Sequence, residues 1–88
     1  MFYYVYLIAT FKKKIISYVG YTNNINKRIS LHNSGKGAKF TRGRKWKILY
    51  KKKYKSKSEA MSEEIKLKKN YKLRNKIKLD FMKSNKYI

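Results

Sequence analysis

Two runs of aromatic and β-branched residues near the start of the chain restrict its fold more than any other feature. "FYYVYLI" (residues 2–8) and "IISYVGYT" (residues 15–22) each have the length and residue types of a β-strand. The "ATFKKK" between them is a compact basic connection, so the two strands are predicted to pair as an antiparallel hairpin. The rest of the chain then has to pack against this sheet.

A helix and a third strand are predicted next. Asn23 or Asn24 can cap a helix that runs to about Asn33, and "NSG" stops it at Gly35. Further on, "WKILYKKKY" indicates a strand in which Trp46, Ile48 and Tyr50 alternate with Lys47, Leu49 and Lys51.

Two helices complete the prediction. Ser56 opens a capping box with Glu59 and starts a helix that continues to about Lys69. A last helix covers residues 71–83, with apolar residues spaced four apart at Leu73, Ile77 and Phe81. We therefore expect one α/β domain over residues 1–88, with a three-stranded antiparallel or mixed sheet flanked by helices.

The charge of the chain predicts a polyanionic partner. Lys and Arg number 25 against 4 acidic residues, which gives a net charge of +21. Nucleic acid fits this charge better than a membrane surface, because neutralising each phosphate releases counterions. The alternative is that some of the lysine is a solvated coat from an AT-rich genome.

The segment "GKGAKFTRGRK" (residues 35–45) is predicted to be an exposed loop that faces phosphate groups. Its glycines and basic residues match no helix or strand period. The residues expected to contact the nucleic-acid backbone are Lys36, Lys39, Arg42 and Arg44.

Two function classes are disfavoured by what the sequence lacks. It has no cysteine, which leaves neither a disulfide framework nor a thiolate metal cage. The apolar start "MFYYVYLIAT" has no basic n-region and is short for a secretory or membrane segment. We expect an intracellular, cytoplasmic protein with no membrane partner.

One carboxylate falls among apolar residues. On a helix that starts at Ser56, Glu64 lies at about 40° from Ala60, in a sector shared with Met61 and Ile65, and Glu63 lies on the other side. A carboxylate on a core-facing stripe needs a compensating cation or hydrogen bonds.

Three explanations of this carboxylate are open. It can form a structural ion pair with one of the many basic residues. A helix boundary misplaced by one residue would exchange the roles of Glu63 and Glu64. The third explanation is one hard divalent cation, because Mg²⁺ uses one or two carboxylates together with substrate phosphates. Four acidic residues argue against a two-metal cage.

The two strands also carry a recognisable pair of triplets. Tyr4-Val5-Tyr6 and Tyr18-Val19-Gly20 resemble the signatures of the GIY-YIG nuclease family, with Tyr4 where the pattern has glycine and Val19 where it has isoleucine. Later polar residues follow in the family's order at Arg28, His32 and Glu64. "HNSGKGAKFTRGRKW" and "SEAMSEE" are similar to the small stand-alone bacterial branch, the UPF0213-like proteins.

This resemblance implies a metal-dependent DNA endonuclease that leaves a 5′-phosphate and a 3′-hydroxyl, with branched or damaged DNA in repair or recombination as expected substrates. It implies that Tyr6 or Tyr18 orients or deprotonates the attacking water and that Arg28 clamps a phosphate oxygen. Glu64 would hold one Mg²⁺ or Mn²⁺ ion against the scissile phosphate. His32 would accept a proton from the tyrosine or touch the phosphate.

Without the resemblance, these residues have ordinary interpretations. Tyrosines on strands are often core aromatics, and a lone helical histidine is often a hydrogen-bonded polar group. Many longer family members carry a late asparagine near the site, for which Asn70 and Asn75 are both candidates.

Two rival functions are weighed against the nuclease. The same fold can bind branched DNA or RNA without cutting it, with a partner protein that supplies cleavage or targeting. A lysine-rich structural protein of the ribosome is the other, and it gives no reason for Glu64 on an apolar stripe.

Overall fold

The fold is a three-stranded antiparallel sheet with helices packed against it, which confirms the predicted class. The computed structural model describes residues 1–11, 15–37 and 39–84, so the last three residues of the predicted "ATFKKK" connection, residues 12–14, lie outside the described residues. The elements in chain order are β1 (Tyr3–Thr10), β2 (Ile16–Thr22), α1 (Ile25–Asn33), a short 3₁₀ helix (Lys39–Thr41), β3 (Lys47–Tyr54), α2 (Lys57–Lys69) and α3 (Tyr71–Ser84). None of the helices in these ranges is long and apolar enough to cross a bilayer.

The first strand lies at the centre of the sheet. The strand order is β2-β1-β3, and β1 is antiparallel to both neighbours. Because alternate residues of a strand point to opposite faces, β1 contributes to two clusters. Val5 and Leu7 pack with α2 on one face, and Tyr6 and Ile8 pack with α1 and Trp46 on the other. β1 continues to Thr10, two residues beyond the predicted end, and stays buried throughout that extension.

Both ends of α1 are as predicted. The Asn24 side chain caps the first turn by accepting a hydrogen bond from the Lys27 N–H at 3.1 Å. Beyond the last turn, Gly35 has φ +81°, a left-handed conformation that glycine adopts without steric cost.

The segment between α1 and β3 differs from the prediction of an exposed, irregular loop. It contains the 3₁₀ helix, and Thr41 is fully buried. Asn33 anchors the far end by accepting a hydrogen bond from the Trp46 N–H at 2.6 Å. The Trp46 indole N–H in turn donates to the Thr41 carbonyl at 2.9 Å. These hydrogen bonds join residues that are 13 and 5 positions apart in the sequence. The periodicity of the sequence gives no sign of them.

The third strand is present, but its predicted alternation is wrong. A register irregularity lies where β3 passes Leu7 and Ile8 of β1, so that Leu7 pairs with Tyr50 and Ile8 with Ile48. As a result Ile48 packs with the Tyr6 cluster, whereas Tyr50 packs with the Val5 cluster on the opposite face. A β-bulge of this kind shifts the side-chain period by one residue.

The buried face of α2 also differs from the prediction. Ser56 caps the helix by accepting from the Glu59 N–H at 3.1 Å, as expected. However, Met61 and Ile65 are 43% and 50% exposed, so the predicted apolar sector is wrong. The buried residues are Ala60 and Leu67, which lie within about 20° of each other on a helix. Glu64 borders this face.

The last helix packs less tightly than the others. Asn70 caps it by accepting from the Leu73 N–H at 3.1 Å. Ile77 packs against the Val5 cluster, and the Phe81 ring stacks on Phe11 with centroids 5.3 Å apart. No residue of α3 is fully buried.

A glycine in β2 makes room for the most buried tyrosine. Gly20 pairs with Tyr6 across the sheet, and a Cβ at Gly20 would collide with the Tyr6 hydroxyl and ring. Tyr6 itself has no exposed surface. The ring therefore lies directly against the Gly20 backbone.

We expect Gly20→Ala to lower the free energy of unfolding by about 1–3 kcal/mol, because the added methyl group overpacks the site of the Tyr6 ring. Urea denaturation measures this change. In a Tyr6→Leu background the same substitution should cost much less, since the ring is gone. An equal cost in both backgrounds would contradict the contact.

Candidate active site

A cleft of about 360 Å³ opens where β1 and β2 meet α1 and the start of α2. Its walls are formed by Tyr3, Tyr6, Tyr18, Gly20, Tyr21, Thr22, Asn23, Arg28, Lys57 and Glu64. Most of these residues are polar or aromatic, and two are cationic, so the cleft is suited to a polar anionic ligand.

The structure brings four of the five predicted catalytic residues to this cleft. Tyr6, Tyr18, Arg28 and Glu64 line it, although they come from two strands and two helices. His32 does not line the cleft. It is fully buried behind Tyr6, with no exposed surface.

His32 connects the cleft to the protein interior. Its Nε2 lies 2.8 Å from the Tyr6 hydroxyl, and its Nδ1 lies 2.9 Å from the Thr41 hydroxyl. The ring also meets Tyr18 edge-on, with centroids 5.2 Å apart. A Cβ at Gly37 would lie 2.5 Å from Nδ1, so a glycine lets the backbone approach this ring. His32 is thus held on both nitrogens.

Arg28 lies one helical turn before His32 and faces the cleft. Its guanidinium lies close enough to the Tyr6 hydroxyl to lower the pKa of that phenol, against the effect of burial, through charge and hydrogen bonding. Its Nε atom is buried and has no hydrogen-bond partner among the described residues. A buried donor without a partner is costly, and a phosphate oxygen in the cleft would satisfy it.

The two neighbouring glutamates have different surroundings. The Glu64 side chain is 16% exposed and lines the cleft, and its Oε1 lies 3.5 Å from Lys68 Nζ. The Glu63 side chain is 33% exposed, lies 3.7 Å from Lys66 Nζ and is not part of the cleft wall. Each ion pair involves an exposed lysine and is therefore weak. The pair with Lys68 leaves Glu64 able to bind another cation.

Burial sets the protonation states of Tyr6 and His32. Loss of solvent raises the pKa of Tyr6, and the hydrogen bond and positive charge of Arg28 partly offset this. Burial, followed by the charge of Arg28, lowers the pKa of His32. At neutral pH Tyr6 is therefore a protonated phenol and His32 a neutral imidazole.

The predicted nucleic-acid contacts lie outside the cleft wall. Lys36, Arg42 and Arg44 are exposed on the segment between α1 and β3. The Lys39 side chain lies outside the described part of the structure. Neither Asn70, which caps α3, nor Asn75 lines the cleft.

Three residues near the site are not indicated by the sequence. Lys57, the first residue of α2, lines the cleft. Thr41 contacts His32 from behind, and Phe40 is 56% exposed with its ring stacked 6.1 Å from that of Tyr18. The cap at Ser56 signals that Lys57 begins a helix, but no local pattern indicates that this helix end meets β2.

The geometry agrees with a comparison to known protein families. The GIY-YIG catalytic domain matches residues 2–78, which include the whole cleft. The chain belongs to the GIY-YIG family. Membership supports a nuclease-type role and implies nucleic-acid binding.

Relatives in the GIY-YIG family include several bacterial UPF0213 proteins. One from Oceanobacillus iheyensis is 48% identical over 66 residues, 74% of each chain. One from Staphylococcus haemolyticus is 44% identical over 66 residues, which covers 74% of this chain and 78% of the relative. The solution NMR structure of a UPF0213 protein from Bacillus halodurans matches with a TM-score of 0.51 at 38% identity, over 90% of this chain and 85% of that one.

We expect the free energy of unfolding to fall as the pH is lowered below about 6.5, because His32 binds a proton more readily in the unfolded chain than in the buried site. This histidine contributes a slope of at most about 1.4 kcal/mol per pH unit. Urea denaturation at several pH values measures it, and His32→Gln should remove that contribution. Identical slopes in both proteins would contradict the lowered pKa.

Proposed function

We propose that the chain is a metal-dependent endonuclease that hydrolyses DNA phosphodiester bonds in this cleft. The observation that carries the proposal is the convergence of Arg28, Glu64 and two tyrosines on one space of about 360 Å³. A phosphate group fits the unpartnered Nε of Arg28, and the cationic Lys57 lies in the same wall.

Glu64 fits a hard divalent cation such as Mg²⁺ or Mn²⁺. It supplies a largely buried carboxylate at the wall of the same cleft as Arg28. The described residues contain no cluster of three or more acidic, histidine or cysteine ligands, so substrate oxygens and waters would have to complete the shell. A bound cation would supply Lewis-acid stabilisation of the departing oxygen.

Tyr6 and His32 provide a route for the proton of the attacking water. Tyr6 is a protonated phenol, so it can accept a proton only if it releases its own. In the proposed step the O–H bond of the water breaks as the Tyr6 oxygen takes its proton, and the original phenol proton passes to His32 Nε2, 2.8 Å away. The water oxygen attacks phosphorus while the bond to the 3′-oxygen breaks, leaving a 5′-phosphate and a 3′-oxygen that takes a proton from solvent to become the 3′-hydroxyl.

Arg28 has two tasks in this step. It binds a non-bridging phosphate oxygen, and its hydrogen bond to the Tyr6 oxygen favours the phenolate as the proton leaves. Tyr18 lines the same cleft, and its ring is in edge contact with His32.

We expect the purified protein to nick supercoiled plasmid in the presence of Mg²⁺ or Mn²⁺ and Glu64→Gln to reduce the rate by at least about a hundredfold. Gel electrophoresis of plasmid forms measures the rate. Arg28→Ala should have a similar effect, because the truncated side chain no longer reaches the phosphate.

Glu63→Gln is the matched control for this experiment. It removes the same charge one residue away, but Glu63 lies outside the cleft, so the rate should change by less than about twofold. Far-UV circular dichroism confirms that each variant is folded. Undiminished cleavage by Glu64→Gln, or equal decreases in both glutamate variants, would refute the proposed role of Glu64.

A second candidate function is nucleic-acid binding without cleavage. The net charge of +21 favours it, as does the presence of a single carboxylate among the cleft residues. The basic segment between α1 and β3 would then hold DNA or RNA, and a partner protein would cleave it.

We expect DNA affinity to fall steeply with salt and to survive removal of divalent cations with EDTA, since the binding is dominated by electrostatic attraction to phosphates. Replacing Lys36, Arg42 and Arg44 together by Gln should lower the slope of log K against log salt by about one for each of these side chains that binds a phosphate. Fluorescence anisotropy measures both. Binding without any cleavage product under all metal conditions would favour the second function. An unchanged slope would show that these three side chains do not bind phosphates of the nucleic acid.

A further inference from the structure

A buried threonine lies behind the cleft, on the far side of His32. Thr41 has no exposed surface, and its hydroxyl oxygen is 2.9 Å from His32 Nδ1. Its position is fixed by the Trp46 indole, which donates to the Thr41 carbonyl at 2.9 Å. The close approach of Gly37 to the same ring leaves His32 little room to rotate.

The two hydrogen bonds of His32 depend on each other. A neutral imidazole has one N–H donor and one acceptor nitrogen, so only one of its two hydroxyl partners can donate to it. Either Tyr6 donates to Nε2 and Nδ1–H donates to Thr41, or Thr41 donates to Nδ1 and Nε2–H donates to Tyr6.

The chemistry of the two hydroxyl groups favours the first arrangement. A phenol, with an ordinary pKa of about 10, is a much stronger hydrogen-bond donor than an aliphatic alcohol. Burial raises the pKa of Tyr6, but the nearby Arg28 guanidinium partly offsets this, so the phenol remains the stronger donor of the two hydroxyl groups. The acceptor nitrogen therefore faces Tyr6, and the proton lies on the side of Thr41.

We propose that Thr41 is a positioning residue whose hydroxyl oxygen accepts a hydrogen bond from His32 Nδ1–H and thereby keeps Nε2 unprotonated toward Tyr6. Its contribution to cleavage rests on the proposed function, because Nε2 is the atom that receives the phenol proton. When that proton arrives, the Tyr6 O–H bond is broken and an Nε2–H bond is formed, and Thr41 continues to accept from Nδ1–H of the resulting imidazolium. Thr41 touches neither the cleft nor the substrate.

The tautomer can be observed directly, because His32 is the only histidine in the chain. A long-range ¹H–¹⁵N correlation spectrum of ¹⁵N-labelled protein without a histidine tag, at neutral pH, gives separate shifts for the protonated and unprotonated ring nitrogens. We expect Nδ1 protonated and Nε2 unprotonated. A wild-type spectrum with the proton on Nε2 would overturn the proposal, whether or not any variant folds.

Two variants test the part played by Thr41. Thr41→Val has nearly the same shape but no hydroxyl, so we expect the ring proton to shift in whole or in part to Nε2. Thr41→Ser keeps the hydroxyl and should restore the wild-type spectrum, and Thr41→Ala replaces the valine variant if that one does not fold. An unchanged tautomer in the variant without a hydroxyl would overturn the proposal.

Cleavage assays then connect the tautomer to the reaction. Thr41→Val should lower kcat by about tenfold to a hundredfold with little change in KM, and Thr41→Ser should recover most of the activity. If the spectra behave as expected but the wild-type protein cuts no DNA, the proposed nuclease function fails and the hydrogen-bond assignment stands. If cutting is normal and Thr41→Val leaves kcat unchanged, the positioning role is overturned.

Discussion

The hydrogen bond between the Tyr6 hydroxyl and His32 Nε2 is the contact on which the arrangement of the site depends. It joins the central strand to α1 between two buried side chains, where a hydrogen bond is stronger and an unpaired polar group more costly than at the surface. Gly20 leaves room for the ring against the neighbouring strand, and Arg28, one helical turn before His32, acts on the same hydroxyl. This interaction thus links the sheet to the helix and the two proton-carrying groups to each other.

Much of this architecture is recognisable from local sequence patterns. The strands, the three α-helices and the caps at Asn24 and Ser56 are each determined by residues close in sequence, and the structure confirms them. The convergence of Tyr6, Arg28 and Glu64 is different, since no local pattern brings β1, α1 and α2 together. Only the resemblance to the GIY-YIG nucleases predicts it, and the catalytic roles of these residues remain predictions.

The predictions that the structure corrects have a common physical origin, because each feature is determined by long-range packing. Met61 and Ile65 are apolar, but α2 contacts the sheet through Ala60 and Leu67, because a small residue allows the helix to approach closely. The bulge opposite Leu7 and Ile8 changes the face of Tyr50 without any sign in the spacing of β3. Thr41 lies in a segment whose sequence predicts an exposed loop, and its burial results from contacts with His32 and Trp46 that no local pattern indicates.

The anchoring of the segment between α1 and β3 affects how the protein meets a large charged ligand. Asn33 binds the backbone of Trp46, and the Trp46 indole binds the Thr41 carbonyl, so the stretch that bears Lys36, Arg42 and Arg44 is attached to the core at several points. A flexible cationic arm has to give up its conformational freedom upon association, which weakens binding. Here Thr41 and Trp46, within and just after that stretch, are already held by hydrogen bonds when the chain folds. If these cations contact nucleic acid as proposed, they do so from a surface whose shape is set by the folded core, and shape as well as charge would decide which backbones they bind.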